Sequence, residues 1–196
     1  MTVQKGIVFF LWVLVLVRTA VIQDECQIIK LISRKLASEN RITYMHDYFP
    51  IDYQLPVKYE EILQCQNVTS LISEGIEVDE LRFLWKIISE NVLMSILNVL
   101  PQKHPSRSYI SDLKDIFNAL HISAQPELSD FIKDLLRQLW TPGDKVKGVA
   151  PKDLLDNCLR ALDILYQEEC GLCLPRSAPE DVLCPIGTIA VQRRTC

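Results

Sequence analysis

Seven cysteines and three histidines are the residues of this 196-residue chain whose spacing could do chemistry. Cys170 and Cys173 stand as far apart as a redox pair, and with Cys184 and Cys196 they also form a set of four thiols of the kind that holds zinc. Neither reading is favoured. A redox thiolate is stabilised at a helix N-terminus, whereas this pair follows a long helical pattern, where the helix dipole disfavours negative charge. Zinc would need the thiols to stay reduced. Structural disulfides are the simpler expectation in an oxidising compartment, and an odd count leaves at least one thiol unpaired or joined to another molecule. His46, His104 and His121 fall in separate segments with no carboxylate or thiol at metal or triad spacing. No HExxH, GxSxG or phosphate-binding glycine loop occurs, so no catalytic residue, metal ligand or cofactor is nominated.

The compartment follows from the first twenty residues. Ile7 to Val17 is an unbroken apolar run between Lys5 and Arg18, too short for a membrane span of ~20 residues and placed where a secretory signal has its apolar centre. Residues 1–20 therefore read as a signal peptide, residues 21–170 as the folded domain and 171–196 as a cysteine-containing tail. Removing Lys5 and Arg18 from the 21 basic residues leaves 19 against 25 acidic ones, a net charge of −6. With no basic cluster interleaved with aromatics and no second apolar run of membrane length, nucleic acid and membrane insertion are disfavoured. In a secreted chain Asn67-Val68-Thr69, the one Asn-x-Ser/Thr sequon, makes Asn67 a glycan acceptor in what reads as a polar connection.

The elements are helical. Helix A is expected over about Glu25 to His46, capped by Asp24 with Gln27 three residues on, and carrying Ile28, Ile29, Ile32 and Leu36 on one arc. Pro50 and Pro56 bracket an extended crossover with a short strand at most. Helix B is expected from about Val78 to Leu100, with Leu81, Leu84, Trp85, Ile88, Val92 and Val99 on one face. Phe83, Ile87 and Met94 form a second apolar face, which makes the helix central. Pro101 and Pro105 close it, Ser106 or Ser108 can cap helix C, and Pro126 opens an additional helix that ends at Thr141-Pro142-Gly143. A short strand fits Lys145 to Val149, and Pro151 sits at the first position of helix D, which ends near Cys170. A long A-to-B link, a short B-to-C link and a long C-to-D link predict an all-α, up-up-down-down four-helix bundle, the arrangement of helical cytokines. Cys158 lies on the inner face of helix D and is expected to be a buried, free thiol. On the opposite face of helix A, Lys30, Arg34 and Arg41 form a basic stripe, either a solvated face or a contact surface.

Several blocks then become recognisable together. Asp24-Glu25-Cys26, Tyr44-Met45-His46-Asp47-Tyr48-Phe49-Pro50-Ile51-Asp52-Tyr53, Val57-Lys58-Tyr59-Glu60 and Asn67-Val68-Thr69 resemble the interleukin-34 family in content, order and spacing. The resemblance continues through Glu80 to Trp85, His104-Pro105-Ser106, Pro151 to Cys158 and Leu165-Tyr166, and so covers about Glu25 to Cys170. It implies a secreted, non-covalent homodimer of the short-chain helical cytokine fold. Its implied partner is the macrophage colony-stimulating factor receptor, a receptor tyrosine kinase, whose activation supports monocyte and macrophage survival, proliferation and differentiation. By the family pattern Cys26 pairs with Cys170. Gln167 stands where the family has a cysteine, so its second bridge cannot form as usual. Cys173 with Cys184 is the nearest substitute, and Cys65 and Cys196 are left without assigned partners.

Two surfaces follow. In the expected topology helices A and B are parallel, so Phe49, Pro50 and Ile51 after A and Val99 and Leu100 at the end of B would form one apolar cap suited to a two-fold dimer contact, unless they pack under their own crossover. Lys30, Arg34 and Arg41 are the expected receptor-facing residues. The competing reading from another class is a secreted carrier holding a lipid or small apolar ligand inside the bundle, and a third is a cytokine for an unrelated receptor.

Overall fold

Asp24 is already helical, in a helix α1 that occupies residues 24–35 and buries Ile29 and Ile32, with Leu36 buried just beyond its end. The computed structural model describes residues 24–50, 52–58, 60–122, 127–141 and 146–172. Helix A does not run unbroken to His46. The chain extends at Ala37 (φ −56°, ψ 149°), restarts as α2 over Ser38–Ile42 and widens into a π-helical turn over Thr43–Asp47. Local polar competition accounts for the break. The Asn40 side-chain amide donates to the Lys35 carbonyl at 3.1 Å and the Tyr109 hydroxyl donates to the same oxygen at 2.8 Å. The acceptor that continued helix would give to the Glu39 amide is thus occupied by side chains.

The first crossover contains β1, Leu55–Val57, then a short 3-10 helix, Glu60–Leu63, and a helix α3, Cys65–Ser73, that the polar look of this segment did not suggest. α4 spans Val78–Val99 and α5 Ser106–Ala119. The additional helix, α6, runs over Asp130–Trp140 and starts later than Pro126 because Ser129 caps it, its hydroxyl accepting from the Ile132 amide at 3.4 Å. β2, Lys147–Val149, pairs antiparallel with β1 in the register Leu55 to Val149 and Val57 to Lys147, which ties the two long crossovers together. Pro56 is tolerated because this ladder has only two strands. α7 spans Pro151–Cys170 and ends on Gly171 at φ 57°, a left-handed cap that glycine adopts without a Cβ clash.

Side-chain ties fix the chain directions. Along α4 and α7, Arg82 reaches the Leu165 carbonyl while Ser89 meets Cys158, so these helices are antiparallel. Along helix A and α7, Tyr166 meets Glu25 while Arg41 meets Asp156, again antiparallel. Between helix A and α5, the Ser106 hydroxyl donates to the Tyr44 carbonyl while Tyr109 donates to Lys35. Helix A and α4 therefore run up and α5 and α7 run down, as the link lengths predict.

The core between them holds Trp85, Phe117 and Tyr166, with Trp85 ring centroids 5.2 Å from Phe117 and 5.8 Å from Tyr166. The Trp85 indole donates to the Cys158 carbonyl at 3.0 Å, so its one polar atom is satisfied inside. Each such ring contributes roughly 1.5 to 3 kcal/mol of burial free energy. Cys26 and Cys170 are disulfide-bonded, closing the first turn of α1 onto the last residue of α7. Cys158 is free and buried as expected, and burial pushes its thiol up to about 12, partly offset by hydrogen bonds with Ser89 and Trp85. Cys65, left unassigned by the sequence, is disulfide-bonded, to a partner outside the described residues. The signal segment, Ile51 and the expected Cys173 to Cys184 bridge also lie outside them.

Candidate interaction surfaces

The basic stripe divides. Lys30 and Arg34 are exposed on α1, with the Arg34 Nε donating to the Lys30 carbonyl at 3.2 Å. Leu31, 38% exposed, stands beside them and was not singled out by periodicity because it falls outside the inner arc. Arg41 does not belong to this face. The break at Ala37 resets the helical phase, so Ile42 turns outward at 45% exposure while the Arg41 side chain goes inward to an ion pair with Asp156 of α7. Asp156 also receives Lys152 Nζ at 2.6 Å. Among the described residues Arg41 Nη1 is buried without a hydrogen-bond partner.

Asp163, seven residues along α7 from Asp156, senses the same guanidinium. Burial pushes its carboxyl up to about 7, and Arg41 offsets part of that rise. The folded-state value lies above the unfolded one, so from about pH 4 to about pH 7 the folded chain keeps a proton that the unfolded chain has lost. Stability from this group is therefore present at low pH and lost as pH rises through about 7. Asp163→Asn is expected to raise the unfolding free energy at about pH 7.5 by roughly 1 to 3 kcal/mol and to flatten the decline between about pH 5 and that value. Urea unfolding at the two pH values checks this; equal pH dependence in variant and parent would refute it.

The two segments expected at one end of the bundle do meet. The His104 Nε2 is 3.0 Å from the Tyr48 carbonyl, and the His104 ring is 5.4 Å from that of Phe49, which packs in turn on Tyr53 at 5.4 Å. Pro50 and Val99 are exposed, Phe49 is half-buried, and Tyr48 adds 44% of its surface. Leu100 is a correction: at 5% exposure it belongs to the core, and its side chain cannot form part of a surface there. Val99, read as part of the inner face of helix B, is turned to solvent instead. Ser106 is a second correction. It opens α5 with its hydroxyl committed to Tyr44, and the amide it leaves is taken by His104 Nδ1 at 3.2 Å.

Asn67 sits in the first turn of α3, exposed, with Thr69 donating from its hydroxyl to the Cys65 carbonyl at 2.9 Å. The sequon is thus helical in the fold. His46 pairs with Asp47 at 2.9 Å in the π-helical turn, and His121 is exposed after α5. Among the described residues no group of three or more His, Cys, Asp or Glu could hold a metal ion, and no helix is long and apolar enough to cross a membrane.

A family model described as Interleukin 34 matches residues 19–172, from before α1 to just past the Gly171 cap. The chain belongs to the interleukin-34 family. That family is one of cytokines, which act on receptors and are not an enzyme class. The interleukin-34 match ends where α7 ends, so the tail after Leu172 stands apart from it. Within the matched span the Cys26 to Cys170 disulfide and the antiparallel pairing of helix A with α7 give the family expectation its structural form.

Proposed function

We propose that the protein is a secreted homodimeric cytokine that binds and activates the macrophage colony-stimulating factor receptor, and so promotes survival, proliferation and differentiation of monocytes and macrophages. Membership of the interleukin-34 family over most of the chain carries this reading. Each subunit would engage one receptor chain, and the dimer would bring two kinase domains together by geometry alone. For the dimer contact the residues that remain accessible are Pro50 and Val99, with the half-buried Phe49 between them and Tyr48 beside it; Ile51 belongs to the same proposal from sequence. For the receptor, Lys30 and Arg34 remain, since solvent-facing charges steer association without contributing to the core. Asn67 is proposed to carry a glycan and Cys173 to pair with Cys184. The carrier alternative needs space inside the bundle, and the centre is filled by Trp85, Phe117 and Tyr166.

The test is a comparison of the parent with Val99→Asp and with Lys30→Glu plus Arg34→Glu, each secreted from animal cells. Val99→Asp is expected to give a helical monomer by light scattering that binds the receptor ectodomain and does not activate it. The double charge reversal is expected to stay dimeric and to lose receptor affinity by about tenfold, mostly in the association rate. A parent that does not bind this receptor from its own species refutes the function, and a monomer that signals like the dimer refutes the mechanism. Unchanged mass of secreted Asn67→Gln would remove the glycan, and peptide mapping without reduction that finds Cys173 away from Cys184 would remove that bridge.

A further inference from the structure

Cys65 opens α3, is buried at 8% exposure, and has its sulfur in a disulfide. The bond lies within a single chain, so its other half is one of the chain's own seven cysteines. Three are excluded by what they already do. Cys26 and Cys170 are bonded to each other. Cys158 is a free thiol inside the bundle, 2% exposed, with the Ser89 hydroxyl 3.2 Å away. Burial pushes that thiol up to about 12, and a protonated, inaccessible sulfur does not enter exchange. Cys173, Cys184 and Cys196 remain, all beyond residue 172, where α7 has ended and the family match stops.

We infer that Cys65 ties the C-terminal tail back onto the first crossover, so that the chain closes covalently on itself and keeps no thiol for a bond to a second copy. The count closes. With Cys158 and the Cys26 to Cys170 pair set aside, a bridge from Cys65 to one tail cysteine leaves the other two for each other. Under the Cys173 to Cys184 pairing proposed above, the partner of Cys65 is Cys196; that choice rests on the pairing, and the tether itself does not. Reach is no obstacle. The chain beyond residue 172 spans roughly 80 Å when extended, over twice the ~33 Å length of the 22-residue α4. The tether sets the tail beside α3, which packs on α7 and carries Asn67 two residues along. Each bridge forms by exchange with a disulfide-bearing oxidant of the secretory lumen. Two chain thiols join sulfur to sulfur, and their two electrons and two protons leave on the oxidant, whose disulfide becomes a dithiol. Under the dimer reading, the two subunits are then held by non-covalent contact alone.

Disulfide mapping of the full-length secreted protein tests the tether. Free thiols are alkylated in denaturant at mildly acidic pH, any glycan on Asn67 is removed, and the unreduced chain is cut with trypsin. Cleavage after Lys58 and Arg82 leaves Cys65 as the one cysteine of residues 59–82. Cys173 falls with Cys170 in residues 161–176, Cys184 in residues 177–193, and Cys196 in the terminal pair Thr195-Cys196. Residues 59–82 are expected to carry Thr195-Cys196, residues 161–176 to carry residues 177–193, and Cys158 alone to be alkylated. Residues 59–82 joined instead to Cys173 or Cys184, as fragmentation assigns it, would keep the tether and overturn the Cys173 to Cys184 pairing. Cys65 found alkylated overturns the tether. So does a band of twice the chain mass on an unreduced gel that reduction collapses, since it shows a thiol spent on a second copy. Light scattering reads the non-covalent dimer separately, so failure of the dimer or receptor reading is distinguishable from failure of the tether.

Discussion

Replacing Cys26 and Cys170 together by alanine is expected to lower the unfolding free energy by about 5 kcal/mol, the largest effect of any small change outside the core rings. The argument is loop length. The bridge joins residues 144 apart in sequence, so the denatured chain loses a great deal of freedom when it is closed. Much of the stability of a domain this size, about 5 to 15 kcal/mol, would go with it. The bridge also sits where helix A and α7 start and finish, next to the Tyr166 hydroxyl on Glu25 at 3.1 Å and the Arg82 guanidinium 4.5 Å over the Tyr166 ring. Loosening therefore begins at the root of α1, one turn before Lys30. Urea unfolding of the double variant measures it, and a loss below about 1 kcal/mol would mean that these neighbouring contacts, and not the crosslink, hold the two helices together.

Most of the bundle was legible because its signals are periodic and redundant. Leu154, Leu155, Cys158, Leu162 and Leu165 repeat at helical spacing, Pro151 can only open α7, and Gly171 can only close it without strain. What the sequence hid was decided by contacts distant in the chain. α3 was obscured because its outer face, including Asn67, is polar and only Cys65 and Val68 are fully buried, with Leu71 and Ile72 partly buried against the core. The pairing of β1 with β2 joins two three-residue strands far apart in the chain, from Leu55–Val57 to Lys147–Val149, and no local pattern specifies a register across such a gap. Val99 and Leu100 exchanged roles because α4 ends between them, so Leu100 leaves the helical phase and turns into the core.

The candidate surfaces were legible at the level of segments and not of every residue. The meeting of residues 48–50 with the α4 to α5 turn follows from topology alone, but its fastener, His104, showed only as part of His104-Pro105-Ser106. Ser38 and Asn40, both competitors for backbone hydrogen bonds, sit within three residues in the middle of a helical pattern and were the available hint that helix A breaks. Everything after the break is rotated relative to a continuous helix, which is why Lys30 and Arg34 kept their expected face and Arg41 did not.

That separation of two arginines seven residues apart gives the second large effect. Arg34→Glu is expected to change stability by under about 0.5 kcal/mol, since its side chain is exposed and makes one contact with its own helix. Arg41→Glu is expected to cost roughly 3 to 5 kcal/mol, because it sets a carboxylate against Asp156 in a seam where both side chains are nearly buried. Continuous helix A predicts instead that the two reversals cost the same and impair receptor binding alike. Urea unfolding distinguishes these, and near-equal losses would restore Arg41 to the surface. The pair can be tested further by replacing it with apolar volume: Arg41→Met with Asp156→Leu should recover most of what either single change loses, since a buried ion pair contributes little over well-packed apolar groups while half of one is costly. Lys152, a third exposed, can turn to solvent when Asp156 is gone. Recovery in the double variant would place the importance of Arg41 in fixing the phase of α2 and the π-helical turn, and through them the outward positions of Ile42 and Tyr48, with no direct part in receptor contact.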